Sequence, residues 1–168
     1  LEHAILRYGG ALRGSPYYDY RGNLFNEGGV LSLDHVTSTQ GVKGVRSNGG
    51  TLEVSNSLLS SNSQDGLHAM NGTLKVVNST IQQNGQYGLY TDGVSSPVVT
   101  NTAFLSNTSY AMYLYLPGNP LDTSQVTGNS SSNNGRNGIG IEANLTGSKI
   151  ANANLTDADL TGAYLGYT

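Results

Sequence analysis

Apolar residues along this chain come in short period-two stretches such as L-x-V and G-L-x, separated from one another by Asn, Gly and Ser. Alternation over so few residues predicts strands, and the polar punctuation predicts turns. A helical solenoid needs runs of roughly ten or more residues at helical spacing, and no such run occurs. The stretches recur with a period of about 22 residues. Segments 30–50, 51–72 and 73–93 align almost without gaps. A more drifted copy runs from Pro97 to about Pro120, another from Leu121 to about Glu142, and an opening copy lies within 1–29.

The firmest register is N-x-x-(L/I/F)-x-x-N, seen as Asn56, Leu59, Asn62, then Asn78, Ile81, Asn84, then Asn101, Phe104, Asn107. Four residues after each closing Asn comes a small residue followed by an apolar one: Gly66-Leu67, Gly88-Leu89, Ala111-Met112. Gly44-Val45 and Gly138-Ile139 extend the series, and Asn134 keeps its place before Gly138. Three short strands per coil is the arithmetic of a parallel β-helix. Coils stacked about 4.8 Å apart would make roughly seven layers and a rod about 35 Å tall. Equivalent Asn residues would then lie above one another, where an amide, both donor and acceptor, can bond along the column as well as to the turn backbone.

The opening LEHAILRYGG and the internal NSTIQQNGQYGLY resemble the right-handed parallel β-helix repeat proteins, a family that includes pectate lyases and bacterial surface or periplasmic modules. The resemblance covers about residues 1–142. It implies an all-β, right-handed parallel β-helix of six to seven coils and says little about activity, because lyases, hydrolases, epimerases and inert scaffolds share the repeat. From Ala143 the period changes to five, with Leu145, Ile150, Leu155, Leu160 and Leu165 in ANLTG, SKIAN, ANLTD, ADLTG and AYLGY. This stretch, 143–168, resembles a pentapeptide-repeat coil. It is expected to continue the helix and cover its end, where exposed strands would invite edge-to-edge pairing.

Composition narrows the classes. The 168 residues include no Cys, which excludes a disulfide-stapled mini-protein, a thiolate zinc site and a cysteine nucleophile. Eight basic against eleven acidic residues lack the cationic footprint of a nucleic-acid binder. No apolar run approaches the length of a membrane span. Without an initiator Met or a signal-peptide pattern, the chain reads as a mature fragment or excised domain. Disorder, the first guess from such polarity, fits poorly with low net charge and 11 Tyr.

Alternation then locates candidate chemistry. In the strand after each Gly–apolar step, Val45, Leu67, Leu89, Met112 and Ile139 should face inward. The next residues, Arg46, His68, Tyr90 and Tyr113, with Phe25 at their head, should form an exterior column. Two residues on lies a second column of Glu27, Asn48, Met70, Asp92, Tyr115 and Glu142. Aromatic faces beside carboxylates and amides suit a sugar, whose C–H face stacks on Tyr while its hydroxyls bond to Asp, Asn or Glu. The expected ligand-binding residues are therefore Phe25, Arg46, His68, Tyr90, Asp92, Tyr113 and Tyr115. Cross-strand aromatic stacks also stabilise a sheet by roughly 0.2–1 kcal/mol per pair, a purely structural use of the same column.

The insertion at 11–22, ALRGSPYYDYRG, breaks the repeat. Tyr17, Tyr18 and Tyr20 with Arg13, Asp19 and Arg21 are expected either to wall the site or to cover the first coil. A lyase of this fold generally sets a basic residue beside carboxylates that hold calcium. The available pieces are Arg46, His68, Lys43, Lys75, Asp34, Asp65 and Asp92, without the carboxylate cluster such a site prefers. The separation of His3 and His35 in sequence argues against a metal site, and Glu53 and Lys75 should face each other on adjacent coils. No cofactor, metal or catalytic residue is expected.

The function these features predict is a non-catalytic, polysaccharide-binding module of a bacterial extracellular or cell-surface protein, with the periplasm as the alternative compartment. Neighbouring domains and end-to-end self-association are the expected protein partners. The alternative is a structural or self-associating adhesin or filament module. A polysaccharide lyase or glycoside hydrolase comes third, since enzymes of this fold usually carry more coils and longer loops.

Overall fold

In the computed structural model every strand pairing among the described residues is parallel, and each strand hydrogen-bonds to its counterpart about one repeat away. The structure describes residues 1–9, 22–121, 125–136 and 138–144 and the strand residues 158–159; the Tyr-rich insertion and most of the five-residue repeats lie outside them.

Three sheets result. One has six strands, β1 (Ile5–Arg7), β4 (Thr37–Thr39), β7 (Leu58–Ser60), β10 (Thr80–Gln82), β13 (Ala103–Leu105) and β16 (Ser130–Ser132). A second has β2 (Leu24–Glu27), β5 (Val45–Asn48), β8 (Leu67–Met70), β11 (Leu89–Asp92), β14 (Met112–Pro120), β17 (Ile139–Asn144) and β18 (Ala158–Asp159). The third has β3 (Val30–Asp34), β6 (Thr51–Ser55), β9 (Thr73–Val77), β12 (Ser95–Thr100) and β15 (Val126–Thr127). The repeat period predicts six to seven coils. Among the described residues four run unbroken, β2–β4 through β11–β13, and a fifth, β14–β16, crosses residues outside the description.

The core is a narrow column, because each coil turns only one or two side chains per strand inward. Val45, Leu67, Leu89 and Met112 stack in register and are fully buried. Leu59, Ile81 and Phe104 do the same in the six-stranded sheet, and Leu33, Val54, Val76 and Val99 in the third. Burying one Leu or Ile side chain contributes about 2 kcal/mol. Among the described residues the Thr91 hydroxyl is the buried side-chain group without a hydrogen-bond partner.

The two Asn positions of the repeat do different work. The closing Asn forms an internal ladder: Asn62 Nδ2 donates to Asn84 Oδ1 at 3.0 Å, Asn84 to Asn107 at 2.9 Å, and Asn107 to Asn134 at 3.0 Å. Each amide also caps the backbone, as where Asn84 Oδ1 accepts the Asn62 N–H. The opening Asn instead supplies conformation. His3, His35, Asn56, Asn78 and Asn101 all have φ of 49–51°, a left-handed kink that turns the chain between sheets and that Asn tolerates better than most residues. The stacked-amide expectation therefore holds for the closing column, while the opening column is a corner.

The small residue of the Gly–apolar step lies over that ladder. A Cβ on Gly66 would sit 2.5 Å from an Ile81 methyl and 2.7 Å from Asn84 Nδ2. Prolines in the drifted coils are absorbed by irregular pairing: the register shifts between Ser95 and Val98 around Pro97, and between Leu116 and Pro120. The seven-stranded sheet then continues through β17 to β18 at Ala158–Asp159. Leu145, Ile150, Leu155, Leu160 and Leu165 lie outside the described residues.

Candidate functional site

Both predicted exterior columns exist in the seven-stranded sheet. Phe25 pairs with Arg46, Arg46 with His68, His68 with Tyr90, and Tyr90 with Tyr113; Asp92 pairs with Tyr115 beside them. The column is not uniform along its length. Arg46 is only 9% exposed: its guanidinium lies over the Phe25 ring, 5.1 Å from the centroid, and donates to Met70 Sδ at 3.4 Å. The Arg46 guanidinium is thus taken up by its neighbours, while Phe25 is half-buried. From His68 onward the side chains are half-buried and reachable.

A further column, which strand alternation does not predict, completes the surface. Each coil carries a pair three residues apart across the Gly–apolar step: KGVR, DGLH, YGLY and YAMY. The first member sits at the corner entering the strand, so Lys43, Asp65, Tyr87 and Tyr110 stack beside Arg46, His68, Tyr90 and Tyr113. The corner backbone confirms the alignment, with Gly44 N–H donating to Asp65 O, Gly66 to Tyr87 O and Gly88 to Tyr110 O. Period-two alternation does not reach a corner residue and so assigns Tyr87 and Tyr110 to no face; the i, i+3 recurrence is the signal in the sequence that places them.

Four tyrosines thus form a two-by-two array. Tyr87 and Tyr110 are stacked with centroids 6.1 Å apart and planes within 6°, and Tyr90 and Tyr113 with 5.8 Å and 7°. Across the array Tyr87 meets Tyr90 at 5.2 Å and Tyr110 meets Tyr113 at 5.3 Å, tilted by 46° in both pairs. The His68 ring adjoins Tyr90 at 4.8 Å, and the exposed Arg136 lies 5.9 Å from the Tyr110 centroid. The glycine after Tyr113 in the register makes room for this: a Cβ on Gly140 would fall 2.6 Å from Tyr113 Cδ2 and 3.1 Å from Tyr110 Cε1.

Partial burial, then the carboxylate of Asp92, push the Tyr90 phenol above its ordinary 10.0, so its O–H remains a donor into alkaline solution. Asp65 is buried and hydrogen-bonded to His68, with Oδ2 2.8 Å from Nδ1.

The other acidic and basic candidates are dispersed. Asp34 and Lys75 belong to the β3–β15 sheet, where Lys75 faces Glu53 in register. Hydrogen bonds from Asn56, His35 and Ser55 hold the Asp34 carboxyl at about 2. His3 and His35, separated in sequence, are stacked at 4.9 Å because Glu2 bridges Asp34 in parallel one coil on. Even so, among the described residues no three His, Asp or Glu side chains converge as metal ligands. The proposed wall of Tyr17, Tyr18 and Tyr20 lies outside the described residues.

A family profile described as a right-handed beta helix region matches residues 24–168. The chain belongs to the right-handed β-helix family. No curated protein and no solved structure matches it. For a right-handed β-helix the array has a simple origin: parallel in-register coils repeat any side chain that recurs at the repeat period, so a tyrosine at two corner-and-strand positions in two coils becomes a patch of four.

Proposed function

We propose that this β-helix module binds an extended carbohydrate chain on the tyrosine-bearing face, without transforming it, and that it serves an extracellular or cell-surface protein. The observation that carries the reading is the array of Tyr87, Tyr90, Tyr110 and Tyr113, bordered by His68, Asp92, Tyr115 and Arg136. Rings already stacked on one another lose little freedom on binding, which reduces the ordering cost that weakens flexible sites. Their apolar surfaces suit sugar C–H groups, and the phenol, imidazole and carboxylate groups around them suit hydroxyls. The array follows the coil axis, so it offers the same chemistry at successive layers, which favours a polymer over a compact metabolite. Polysaccharides are met chiefly outside cells, and that supports the proposed location.

Screening the protein against immobilised glycans tests the reading. Tyr90→Ala and Tyr113→Ala should each weaken the bound glycan by about tenfold, corresponding to about 1.4 kcal/mol, while circular dichroism stays that of the parent fold. Unchanged affinity in both variants removes the site. An array without any ligand, together with concentration-dependent sedimentation, would favour the structural, self-associating module instead.

A further inference from the structure

The coil that borders the array departs from the two that form it. Where the next two coils place tyrosine at the corner, this one places Asp65, and the strand position three residues on is His68. Asp65 is 2% exposed, and an ionised carboxylate taken out of water is costly unless it is hydrogen-bonded. Both its oxygens are used: Oδ2 lies 2.8 Å from His68 Nδ1, and Oδ1 accepts the backbone N–H of Tyr87 at 3.3 Å. A carboxylate has no proton to offer, so the hydrogen in the imidazole contact belongs to Nδ1. In the neutral ring this leaves the lone pair on Nε2. The ring is set against Tyr90, its side chain is 18% exposed, and among the described residues no group hydrogen-bonds Nε2.

We propose that His68 Nε2 is a built acceptor of the binding face: Asp65 holds the imidazole in the Nδ1–H form, and Nε2 receives a hydrogen bond from a hydroxyl of the sugar unit that sits against Tyr90. The assignment rests on the carbohydrate reading above and adds orientation to it. Tyrosine O–H and arginine N–H groups supply donors, and an imidazole locked as acceptor fixes which way a sugar hydroxyl must point. Asp65 is a positioning residue, acting through His68.

Two measurements on the whole protein separate this assignment from the reading beneath it. Nitrogen-15 NMR of the His68 ring, recorded alkaline of the imidazole titration, should show Nε2 unprotonated and Nδ1 protonated, and Asp65→Asn should shift the population toward Nε2–H. A predominantly Nε2–H ring in the parent protein overturns the proposal. Binding is then measured with cellohexaose, mannohexaose and xylohexaose. His68→Phe, which keeps a ring against Tyr90 but loses the acceptor, should weaken the best of these about tenfold, and Asp65→Asn several-fold. Should Tyr90→Ala abolish binding while His68→Phe leaves it intact, the carbohydrate reading stands and the acceptor role falls. Should none of the three bind the parent protein, the carbohydrate reading loses its support for these chains, and the tautomer measurement decides the Asp65–His68 assignment alone.

Discussion

At Asn84 a single buried amide accepts from both the backbone and the side chain of Asn62 and donates to Asn107 Oδ1 and Leu59 O. Truncating it strands donors and an acceptor where water does not reach, and each such group costs about 1–3 kcal/mol. Asn84→Ala should therefore lower stability by about 3 kcal/mol, read from urea unfolding; a loss below about 1 kcal/mol would mean that the ladder is replaceable by water. Tyr90 carries the second residue-scale prediction. Because its folded phenol titrates above 10.0, the neutral form is favoured in the native state. The associated stability is fully present below about pH 10 and fades as pH rises through the folded value. Tyr90→Phe should thus lose less stability than the parent as pH is raised above about 10, followed by melting temperature and phenolate absorbance.

Strands β8, β11, β14 and β17 hold the site, and their rigid register is what converts four separate side chains into one surface. Gly140 in β17 is part of that surface although it has no side chain, since the Tyr113 ring occupies the space a methyl group would take. Gly140→Ala should displace the ring at about 1 kcal/mol of overpacking, alter the near-ultraviolet circular dichroism of the tyrosines and weaken the proposed glycan binding several-fold while leaving the far-ultraviolet spectrum unchanged. Unaltered tyrosine signals would show that the array adjusts without strain. Of this element-scale arrangement, the strand column Arg46, His68, Tyr90, Tyr113 was legible because period two assigns each strand residue to a face. The corner column was not, because a corner residue has no alternation to follow. The burial of Arg46 escaped for a related reason: facing outward does not decide exposure once Phe25 and Met70 cover the side chain.

Over the whole molecule, stability is a sum of coil-to-coil interfaces, since backbone hydrogen bonds such as Leu67 N to Gly88 O join one layer to the next. Coils with a neighbour on both sides should open last. Native-state hydrogen exchange is accordingly expected to be slowest in β8 and β11 and fastest in β1 at the sheet edge. Equal protection across all coils would instead indicate one cooperative unit.

The repeat by itself determined the fold and most of the register. A 22-residue period with one small–apolar step and one closing Asn per coil leaves few ways to bury the apolar side chains and satisfy the amides, and both requirements are local to the repeat. The tertiary structure alone decided what depends on neighbouring coils. It showed how the drifted coils absorb Pro97 and Pro120 by shifting register, that His3 and His35 meet, and that Tyr87 and Tyr110 join Tyr90 and Tyr113. Each of those contacts links residues a full coil apart or across a corner, where side-chain direction is set by the stacked layers rather than by the spacing of residues along the chain.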